Sequence, residues 1–317
     1  MSPQVSVIIL NWNGRSLLAE CLAALRAQTW RDFEIIVVDN GSQDDSVQWL
    51  SECEPDVRVI CNATNLGFAT ANNQGILLSQ APVVMLLNND AILEPDCLQA
   101  LMSAADEHTE AGALACKILI RGSKGQMDSA GIEVDRAGIA WNRGWGKPAA
   151  EYTKPVNVFG PSAAAALYRR SMLEQIGLLD DDFFIYYEDV DLAWRAQWAG
   201  WPCVYVPNAV VHHVHSATTG RNSPFKNYLL SRNKWWAIFK NYPIQSLVAY
   251  LPLVFIIDLG AMLWAIWRTR NLSPLRGRWA AVRGMRKIWH KRREIQRPVQ
   301  GMINWRETLV PIRLSRI

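Results

Sequence analysis

The chain of 317 residues lacks the signatures by which several common classes of protein are recognised. It contains no GxGxxG and no GxxxxGKS/T run, which argues against a dinucleotide oxidoreductase and against a P-loop nucleotide hydrolase. Its six Cys never occur at CxxC spacing, so a zinc ribbon or a thioredoxin-type site is excluded. The N-terminus has neither a basic segment nor a cleavage site, and it predicts a core strand instead of a signal peptide. We therefore expect a protein of the reducing cytosol.

Charge is unevenly distributed along the chain. Half of the residues are apolar and a fifth are charged, which is typical of a globular protein with a sizeable core. Residues 268–317 hold 14 Lys and Arg against 2 Asp and Glu, a local charge of +12, whereas the remainder has a charge of −8. This distribution predicts an acidic catalytic or binding body joined to a basic tail that contacts an anionic surface.

Apolar runs alternate with helical patterns through the first half of the chain. The predicted strands cover residues 5–10, 33–39, 57–61, 81–90 and 112–120, with helices between most of them. Alternation of this kind indicates an α/β fold with a mostly parallel sheet covered by helices on both faces. In such sheets ligands bind beyond the carboxyl ends of the strands.

Polar clusters follow three of these strands. They are Asn11-Trp12-Asn13 after the first strand, Asp39-Asn40-Gly41-Ser42 after the second and Asn88-Asn89-Asp90 after the fourth. Asp39 could bind a nucleobase or ribose, or it could form an Asx turn or a helix cap. Asp90 could bind a divalent cation together with diphosphate oxygens, or it could belong to a simple turn.

An acidic and aromatic segment follows at residues 183–201, within a stretch of helical pattern over 171–200. Glu188, Asp189 and Asp191 lie within four residues of one another among aromatic side chains that include Trp194. A carboxylate that aromatic groups partly desolvate is a stronger base. The alternative is that these residues stabilise a helix N-terminus, and Asp191 is also four residues before Arg195 and could pair with it.

Three His close together follow a strand-like segment. If the strand continues, His213 and His215 lie on one side of it and His212 on the other. His213 could complete a metal site begun by Asp90.

Taken together, these motifs resemble those of family 2 glycosyltransferases with the GT-A fold, over about residues 4–240. Within that family the chain is similar to the bacterial rhamnosyltransferase-like group that builds O-antigen and other cell-wall polysaccharides. The segments that carry the resemblance are VSVIILNWNG, FEIIVVDNGSQDDS, NLGFATANNQG, VMLLNNDAIL, FIYYEDVDLAWR, VHHVHSATTG and YLLSRN.

The resemblance implies transfer with inversion from a nucleotide-sugar donor, assisted by Mg²⁺ or Mn²⁺. The residues it places around the nucleotide and the sugar are Leu10, Asn11, Trp12, Asn13, Asp39, Asn65, Gly67, Asn88, Asn89, Trp194 and Arg232. It assigns Asp90 and His213 to the metal and Asp189 to the catalytic base. Glu188 and Asp191 would position that base or bind acceptor and metal. Two departures from the family pattern stand out: the usual two-carboxylate motif reads Asn88-Asn89-Asp90, and the triple His leaves His212 and His215 open as ligands.

The C-terminal part differs in character from the rest. Residues 245–267 are long and apolar enough to span a bilayer, but they contain Asp258 near their centre. We expect two in-plane or re-entrant helical pieces broken around Asp258, with the basic tail on anionic headgroups. The alternative is a core helix pair buried in a homodimer. The predicted domains are residues 1–240 for the glycosyltransferase and 241–317 for a membrane-associated extension.

The leading functional hypothesis is an inverting glycosyltransferase that acts on a lipid-linked glycan at the inner face of the cell membrane. The resemblance favours dTDP-rhamnose as donor, with UDP- or GDP-linked hexoses next. A catalytically silent sugar-nucleotide-binding or scaffold protein is the alternative, supported by the single carboxylate of the Asn88-Asn89-Asp90 motif. Nucleic acid is not an expected partner, because no nucleic-acid-binding fold accompanies the basic tail.

Overall fold

The structure, a computed structural model, describes residues 3–214, 223–296 and 309–312. Within these ranges the strands are β1 (Val5–Asn11), β2 (Phe33–Asp39), β3 (Arg58–Cys61), β4 (Val83–Asn88), β5 (Ala91–Leu93), β6 (Ala113–Ile120), β7 (Met127–Ser129), β8 (Ile132–Val134), β9 (Ala140–Asn142), β10 (Val156–Val158), β11 (Ala165–Arg169) and β12 (Cys203–His213). The α-helices are α1 (Arg15–Arg26), α2 (Ser46–Cys53), α3 (Phe68–Leu78), α4 (Cys97–Glu107), α5 (Arg170–Ile176), α6 (Glu188–Trp198), α7 (Pro224–Asn241), α8 (Ile244–Thr269) and α9 (Ser273–Gln296).

The main sheet has the strand order β10-β12-β6-β11-β4-β1-β2-β3. Strands β3, β2, β1 and β4 are parallel, whereas β11 runs antiparallel to both of its neighbours, β4 and β6. Because β12 is parallel to β6, its carboxyl end reaches the same edge of the sheet as those of β1, β2 and β4. The predicted α/β sheet is confirmed, and this topology gathers the polar strand ends at one edge.

Helices cover both faces of the sheet. One apolar core joins α1, α2 and α4 to the sheet, and the other joins α3, α5 and α6 to it. Because helices cover both faces of the sheet, almost every residue of β1 and β4 is buried.

The helical pattern over 171–200 corresponds to two helices, α5 and α6. Helix α5 ends at Gly177, whose φ of +80° leaves the helical region, and α6 begins only at Glu188. Between the two helices a 3₁₀ turn at Asp181–Phe183 leads into residues 183–187, which we call the loop 183–187, and in which Phe184, Tyr186 and Tyr187 have φ between +67° and +71°. Residues other than glycine rarely adopt this backbone conformation, so contacts with other parts of the protein must hold the loop in place.

The predicted break around Asp258 is wrong, because α8 is one continuous helix of 26 residues. Asp258 is buried, and its carboxylate accepts hydrogen bonds from Lys234, from Trp235 Nε1 at 2.9 Å and from Arg278 Nε at 2.6 Å. Lys234 and Arg278 neutralise its charge from neighbouring helices, so the helix continues through this residue. Helix α8 is long and apolar enough to cross a membrane by length and composition, with 22% of its most apolar window buried.

Helix α9 lies directly against α7. A Cβ atom on Gly277 would fall 2.2 Å from the carbonyl oxygen of Tyr228, so only glycine permits this approach of the two backbones. Trp236 Nε1 of α7 donates to the carbonyl oxygen of Ala281 of α9 at 3.1 Å. The extension therefore shares its packing with the last helix of the predicted glycosyltransferase domain.

Candidate active site

A cavity of about 540 Å³ opens at the edge of the sheet where the strand ends meet, and we call it the edge cavity. Its lining contains the predicted residues Leu10, Trp12, Asn65, Gly67, Asn88, Asn89, Asp90 and His213. The rest of the lining comes from Asn40, Phe68, Phe184, Ile185, Tyr186, Ser223, Phe225 and Lys226. The edge cavity thus combines amide and aromatic side chains with one carboxylate, one imidazole and one ammonium group.

Asp90 and His213 meet in this cavity because β5 pairs antiparallel with the end of β12. His213 Nε2 lies 3.2 Å from Asp90 Oδ1, and Asn88 Nδ2 lies 3.5 Å from the same nitrogen. His212 points the other way, with its Nε2 at 2.9 Å from Glu94 Oε1. His215 lies outside the described residues. The geometry selects His213 over His212 as the partner of Asp90.

Asp128 is a residue of this centre that no sequence motif indicates. It lies on the short strand β7, and its Oδ2 is 2.6 Å from Nδ1 of His213. Burial alone would lower the pKa of His213, but hydrogen bonds and charges from Asp128 and Asp90 outweigh burial and raise this pKa to about 9. A carboxylate on one ring nitrogen orients a histidine whose other nitrogen binds a metal.

The donor set fits Mg²⁺ or Mn²⁺. A carboxylate oxygen and an imidazole nitrogen 3.2 Å apart can contact the same small cation, and both face the cavity. Across the described ranges no group of three or more His, Cys, Asp or Glu side chains forms a complete cation site. The remaining ligands would therefore be phosphate oxygens and water, which is usual for Mg²⁺.

Asp39 and Asn11 hold the strand ends together and do not line the edge cavity. Asp39 is buried, and its Oδ1 accepts from Asn11 Nδ2 at 2.9 Å while its Oδ2 accepts from Ser42 N at 2.9 Å. Asn89 Nδ2 in turn donates to Asn11 Oδ1 at 2.8 Å. In this structure the polar atoms of both residues are engaged within the protein, and their contact with the nucleotide stays a prediction.

Asn13 also holds two neighbouring loops in position. It adopts φ of +51°, its backbone N donates to Ser42 Oγ at 2.8 Å, and its Oδ1 accepts from Gln43 N at 2.7 Å. It joins the loop after β1 to the loop after β2 and is not part of the cavity lining. The neighbouring Trp12, 37% exposed, carries the aromatic surface of this loop into the cavity.

Gly67 and Asn65 shape the opposite wall. Gly67 has φ of +88°, and a Cβ on it would lie 2.5 Å from the ring of Phe184, so the position requires glycine. Asn65 Oδ1 accepts from Gly67 N at 2.9 Å and from Asn40 Nδ2 at 2.9 Å. Asn40, which the motif analysis left without a role, thereby supports this wall and lines the cavity itself.

A second cavity of about 600 Å³ adjoins the first, and we call it the hairpin cavity because the β8–β9 hairpin forms one side. Its lining is Ile132, Ala140, Trp141, Asn142, Trp145, Tyr186, Tyr187, Glu188, Asp189, Val190, Lys226 and Leu230. Tyr186 and Lys226 line both cavities and stand between them.

Glu188 and Asp189 have different surroundings although they are adjacent. Asp189 is half-buried, and its oxygens accept from Val190 N at 2.8 Å and Ala163 N at 3.3 Å. Glu188 is buried, and within the described chain its Oε2 has no hydrogen-bond partner. Burial raises the pKa of both groups, and that of Glu188 well above its usual value, with the charge of Asp189 adding to the effect. Asp189 is therefore the member of the pair that ionises more readily.

Asp191 does not line either cavity, which corrects the expectation that it binds acceptor or metal. It is fully buried and accepts from Arg195 Nε at 2.9 Å, Lys240 Nζ at 2.8 Å and Asn241 Nδ2 at 2.7 Å. The expected pairing four residues along the helix is confirmed. Asp191 joins α6 to α7, which is a structural function.

Trp194 is likewise a core residue and not a sugar-binding one. It is 1% exposed, and its ring packs edge-on against Phe159 at 4.8 Å and Tyr242 at 5.5 Å between ring centres.

Arg232 and Asn233 hold the loop 183–187 from behind. Arg232 donates to the carbonyl oxygens of Asp182 and Phe183 at 3.0 and 2.9 Å. Asn233 Nδ2 lies within 2.7–2.9 Å of the carbonyl oxygens of residues 183, 185 and 186. Arg232 is not among the described lining of either cavity, so these contacts make it a positioning residue, and its binding of substrate stays a prediction. These contacts stabilise the positive φ angles beside the acidic pair.

Comparison with known proteins identifies a matching family and several relatives of this chain. Residues 6–177 match the family described as glycosyl transferase family 2. The chain is 30% identical over 265 residues to the N-acetylglucosaminyl-diphospho-decaprenol L-rhamnosyltransferase of Mycobacterium tuberculosis, covering 75% of this chain and 84% of that protein. It is 27% identical to an O-antigen biosynthesis protein of Myxococcus xanthus, covering 73% of this chain but 19% of that protein.

Solved structures show the same fold. GalNAc-T7 with UDP, GalNAc and Mn²⁺ aligns with a TM-score of 0.61 and 15% identity. The alignment covers 75% of this chain and 48% of GalNAc-T7. A mannosyltransferase from Pyrobaculum calidifontis in complex with GDP-Man and Mn²⁺ aligns with a TM-score of 0.52 and 17% identity, over 92% of this chain and 88% of that one. The fold is that of GT-A glycosyltransferases, as predicted. With the match of the family model, the chain belongs to glycosyltransferase family 2.

Proposed function

We propose that the protein transfers a sugar, with L-rhamnose favoured, from a nucleotide-sugar donor to a lipid-linked glycan with inversion at the anomeric carbon. The observation that carries this proposal is the pair of adjoining cavities. One contains Asp90 and His213, the other contains Asp189, and the two meet at Tyr186 and Lys226. A candidate pair of metal ligands and a candidate base thus line two cavities that share a boundary.

The edge cavity suits the donor. Its volume of about 540 Å³ and its mixture of aromatic and amide side chains are typical of a small-molecule site. Asp90 and His213 would hold Mg²⁺ or Mn²⁺, which supplies positive charge beside the diphosphate. Trp12 and Asn65 lie on the walls where a nucleoside would contact the protein.

The hairpin cavity suits the acceptor. Trp141 and Trp145 from the β8–β9 hairpin offer flat apolar surfaces, and Trp145 is 40% exposed. A sugar ring can pack its C–H face against such surfaces while its hydroxyls contact Asn142 and Asp189. The relative from Mycobacterium tuberculosis, whose name specifies a diphospho-decaprenol sugar, supports a lipid-linked acceptor and a rhamnosyl donor.

In the reaction Asp189 takes the proton of the acceptor hydroxyl as its oxygen attacks the anomeric carbon. The bond from that carbon to the β-phosphate oxygen breaks, and its electron pair stays on the nucleoside diphosphate. One displacement inverts the carbon, and a positioned base of this kind contributes a factor of ~10²–10⁴ in rate. The backbone N–H groups of Ala163 and Val190 donate to the Asp189 carboxylate and keep it oriented. The negative charge of Asp189 disfavours ionisation of the adjacent buried Glu188.

The extension supports association with an anionic membrane at the cytoplasmic face. Helix α8 exposes large apolar side chains over much of its length, including Phe255, Ile256 and Trp267 at 59%, 67% and 72% exposure. Between α7, α8 and α9 lies a mostly apolar cleft of about 730 Å³. Helix α9 exposes basic groups beside Trp279, whose ring lies 5.4 Å from the guanidinium carbon of Arg283. Apolar, aromatic and basic groups together favour the lipid–water interface, and a homodimer that buries α8 is the alternative.

The test of the catalytic proposal compares Asp189→Asn with Glu188→Gln. Asp189→Asn keeps the shape of the side chain but cannot accept the proton, so transfer to a lipid-linked acceptor should fall by at least ~10² while donor affinity changes little. A panel of dTDP-rhamnose, UDP- and GDP-sugars with Mn²⁺, measured by thermal shift, identifies the donor used in the assay. A bound donor stabilises by about 2.7 kcal/mol at a hundredfold excess over Kd.

Two results would contradict the proposal. Near-normal transfer by Asp189→Asn together with collapse in Glu188→Gln would move the base to Glu188. Donor binding by the wild type with no transfer to any lipid-linked glycan tested would favour a catalytically silent sugar-nucleotide-binding protein.

A further inference from the structure

We propose that Lys226 is a catalytic residue whose ammonium group contacts the departing diphosphate at the junction of the two cavities. This inference rests on the proposed glycosyl transfer and adds a residue that neither the sequence motifs nor the family likeness assigns. It concerns the leaving-group side of the reaction, opposite the base.

The position of Lys226 is the first argument. Its side chain lines both the edge cavity and the hairpin cavity, as does Tyr186. Lys226 Nζ lies 5.4 Å from the centre of the Tyr186 ring, within the range of a cation–π contact. The bond that breaks in the transfer must lie where donor and acceptor meet, and this junction is bounded by these two side chains.

The backbone of Lys226 is fixed by the start of α7. Ser223 is the N-cap, and its Oγ accepts from Lys226 N at 3.2 Å, while Pro224 occupies the first helical position. Lys226 therefore projects from the first turn of a helix of 18 residues, the end at which the helix dipole also favours an anion. Its anchored backbone limits the positions that the ammonium group can take.

The balance of charge is the second argument. Among the lining residues of the two cavities in the described chain, Lys226 is the only Lys or Arg, beside the carboxylates Asp90, Glu188 and Asp189. When the bond to the anomeric carbon breaks, its electron pair adds one negative charge to the β-phosphate. A divalent cation held by Asp90 and His213 would offset part of that charge, and Lys226 offers the further positive charge. Preplaced cations of this kind stabilise developing phosphate charge in the transition state.

A contact with the β-phosphate predicts a difference between ligands. The wild type is first titrated by calorimetry with dTDP, UDP and GDP in the presence of Mn²⁺, and the best base is kept. The diphosphate and the monophosphate of that base are then titrated into Lys226→Met, Lys226→Arg and the control Lys154→Met, an exposed lysine outside both cavities. Transfer rates are measured on the same four proteins.

We expect Lys226→Met to weaken diphosphate binding at least tenfold and monophosphate binding less than twofold. We expect its kcat to fall more than its donor KM rises, because the charge is fully developed only as the bond breaks. Lys226→Arg should restore most of both losses, and Lys154→Met should match the wild type. If Lys226→Met does not fold, Lys226→Gln is titrated in its place with the same diphosphate and monophosphate.

Equal weakening of diphosphate and monophosphate, or no loss of kcat, would overturn the assignment of Lys226. Failure of the wild type to bind any of the three diphosphates would instead overturn the proposed function. The two failures are therefore distinguishable.

Discussion

At the residue scale, carboxylates that reach a cavity differ from carboxylates that hold the fold by what surrounds them. Asp90 and Asp189 line cavities, whereas Asp39 and Asp191 are buried and use their oxygens on amide, hydroxyl, guanidinium or ammonium groups of the protein. Asp189 and Asp191 are two positions apart on α6, yet the turn of the helix directs only Asp189 to the hairpin cavity.

Substitutions at the candidate metal centre should weaken Mn²⁺ binding to different extents. Asp90→Ala should abolish Mn²⁺-dependent binding of the donor, because among the described residues Asp90 is the only carboxylate that lines the edge cavity. Asp128→Asn should weaken Mn²⁺ affinity by about 10–100-fold, since loss of the partner that orients a ligating histidine has effects of that size. His213→Ala should weaken Mn²⁺ affinity more than Asp128→Asn does. Calorimetric titration of Mn²⁺ in the presence of the nucleoside diphosphate measures all three.

His212→Ala is the matched control for this series. It removes an imidazole from the adjacent position on β12, but that ring contacts Glu94 on the far side of the strand. An effect of His212→Ala equal to that of His213→Ala would show that the centre is assigned to the wrong histidine.

At the element scale, α9 is tied to the turn that precedes the acidic pair. Lys291 contacts both Asp180 and Asp182, and Lys287 contacts Asp182 at 2.6 Å. Asp180 also contacts the buried Lys240 of α7 at 2.6 Å. These ion pairs join the extension to residues immediately before the loop 183–187.

This network predicts how stability depends on pH. Burial alone would raise the pKa of Asp180, but its pairing with Lys240 and Lys291 outweighs burial and holds the pKa well below the usual range. A carboxyl group with a depressed folded pKa stabilises the fold above its unfolded pKa of about 3.9, and this stabilisation is lost as the pH falls toward the folded pKa. We expect the Tm to be highest near neutral pH and to fall steadily below about pH 5.

Asp180→Asn tests the contribution of that single group. Removing one partner from a buried ion pair costs roughly 3–5 kcal/mol, so the variant should have a lower Tm at pH 7 and a shallower fall of Tm on acidification. The exposed Asp106→Asn serves as control and should follow the wild type. If Asp180→Asn and the wild type lose Tm in parallel between pH 6 and pH 3, the network does not explain the acid sensitivity.

Sequence patterns predicted the elements of this fold better than the contacts between them. The buried strands β1, β2 and β4 appear as apolar runs that end in polar residues, so the edge at which Asp90 lies followed from the chain alone. The continuity of α8 did not follow, because Asp258 is neutralised by Lys234 and Arg278, which lie 24 and 20 residues away.

The same limit applies to the candidate site. Asp128 reaches His213 across 85 residues of sequence, and Asn233 reaches the loop 183–187 across 47 to 50. No local pattern marks Asp128, and the YLLSRN segment marks Asn233 without showing which loop its side chain contacts. Trp194 was misassigned because an aromatic residue near acidic groups reads the same in sequence whether it lines a cavity or fills the core.

At the scale of the whole molecule, the acidic body carries the two cavities and the basic extension carries the exposed apolar surface. Truncation after residue 240 is a poor test of the extension, since α9 packs closely on α7 and its removal would expose Trp236 and Tyr228. Substitutions of exposed groups on α8 and α9 leave that packing intact and are the better test.

Two variants separate the electrostatic and the apolar parts of membrane binding. Arg283→Glu with Arg286→Glu reverses two exposed charges on α9, and Trp267→Ser with Trp279→Ser removes two exposed rings. With each basic residue near the surface worth about 1 kcal/mol, the charge variant should bind anionic vesicles at least tenfold more weakly in low salt. In salt high enough to release part of the wild type, the two proteins should become more alike, because exposed charge contacts are screened.

The control for this comparison is Lys124→Glu with Lys154→Glu, which changes the net charge equally but lies on the glycosyltransferase body. At physiological salt it should bind vesicles like the wild type, because attraction to headgroups decays within a Debye length, about 8 Å under those conditions. The ring variant should lose binding in both low and high salt, since it removes apolar surface and not charge. Equal losses in the charge variant and its control would show that net charge alone draws the protein to the membrane, and that α9 is not the docking element.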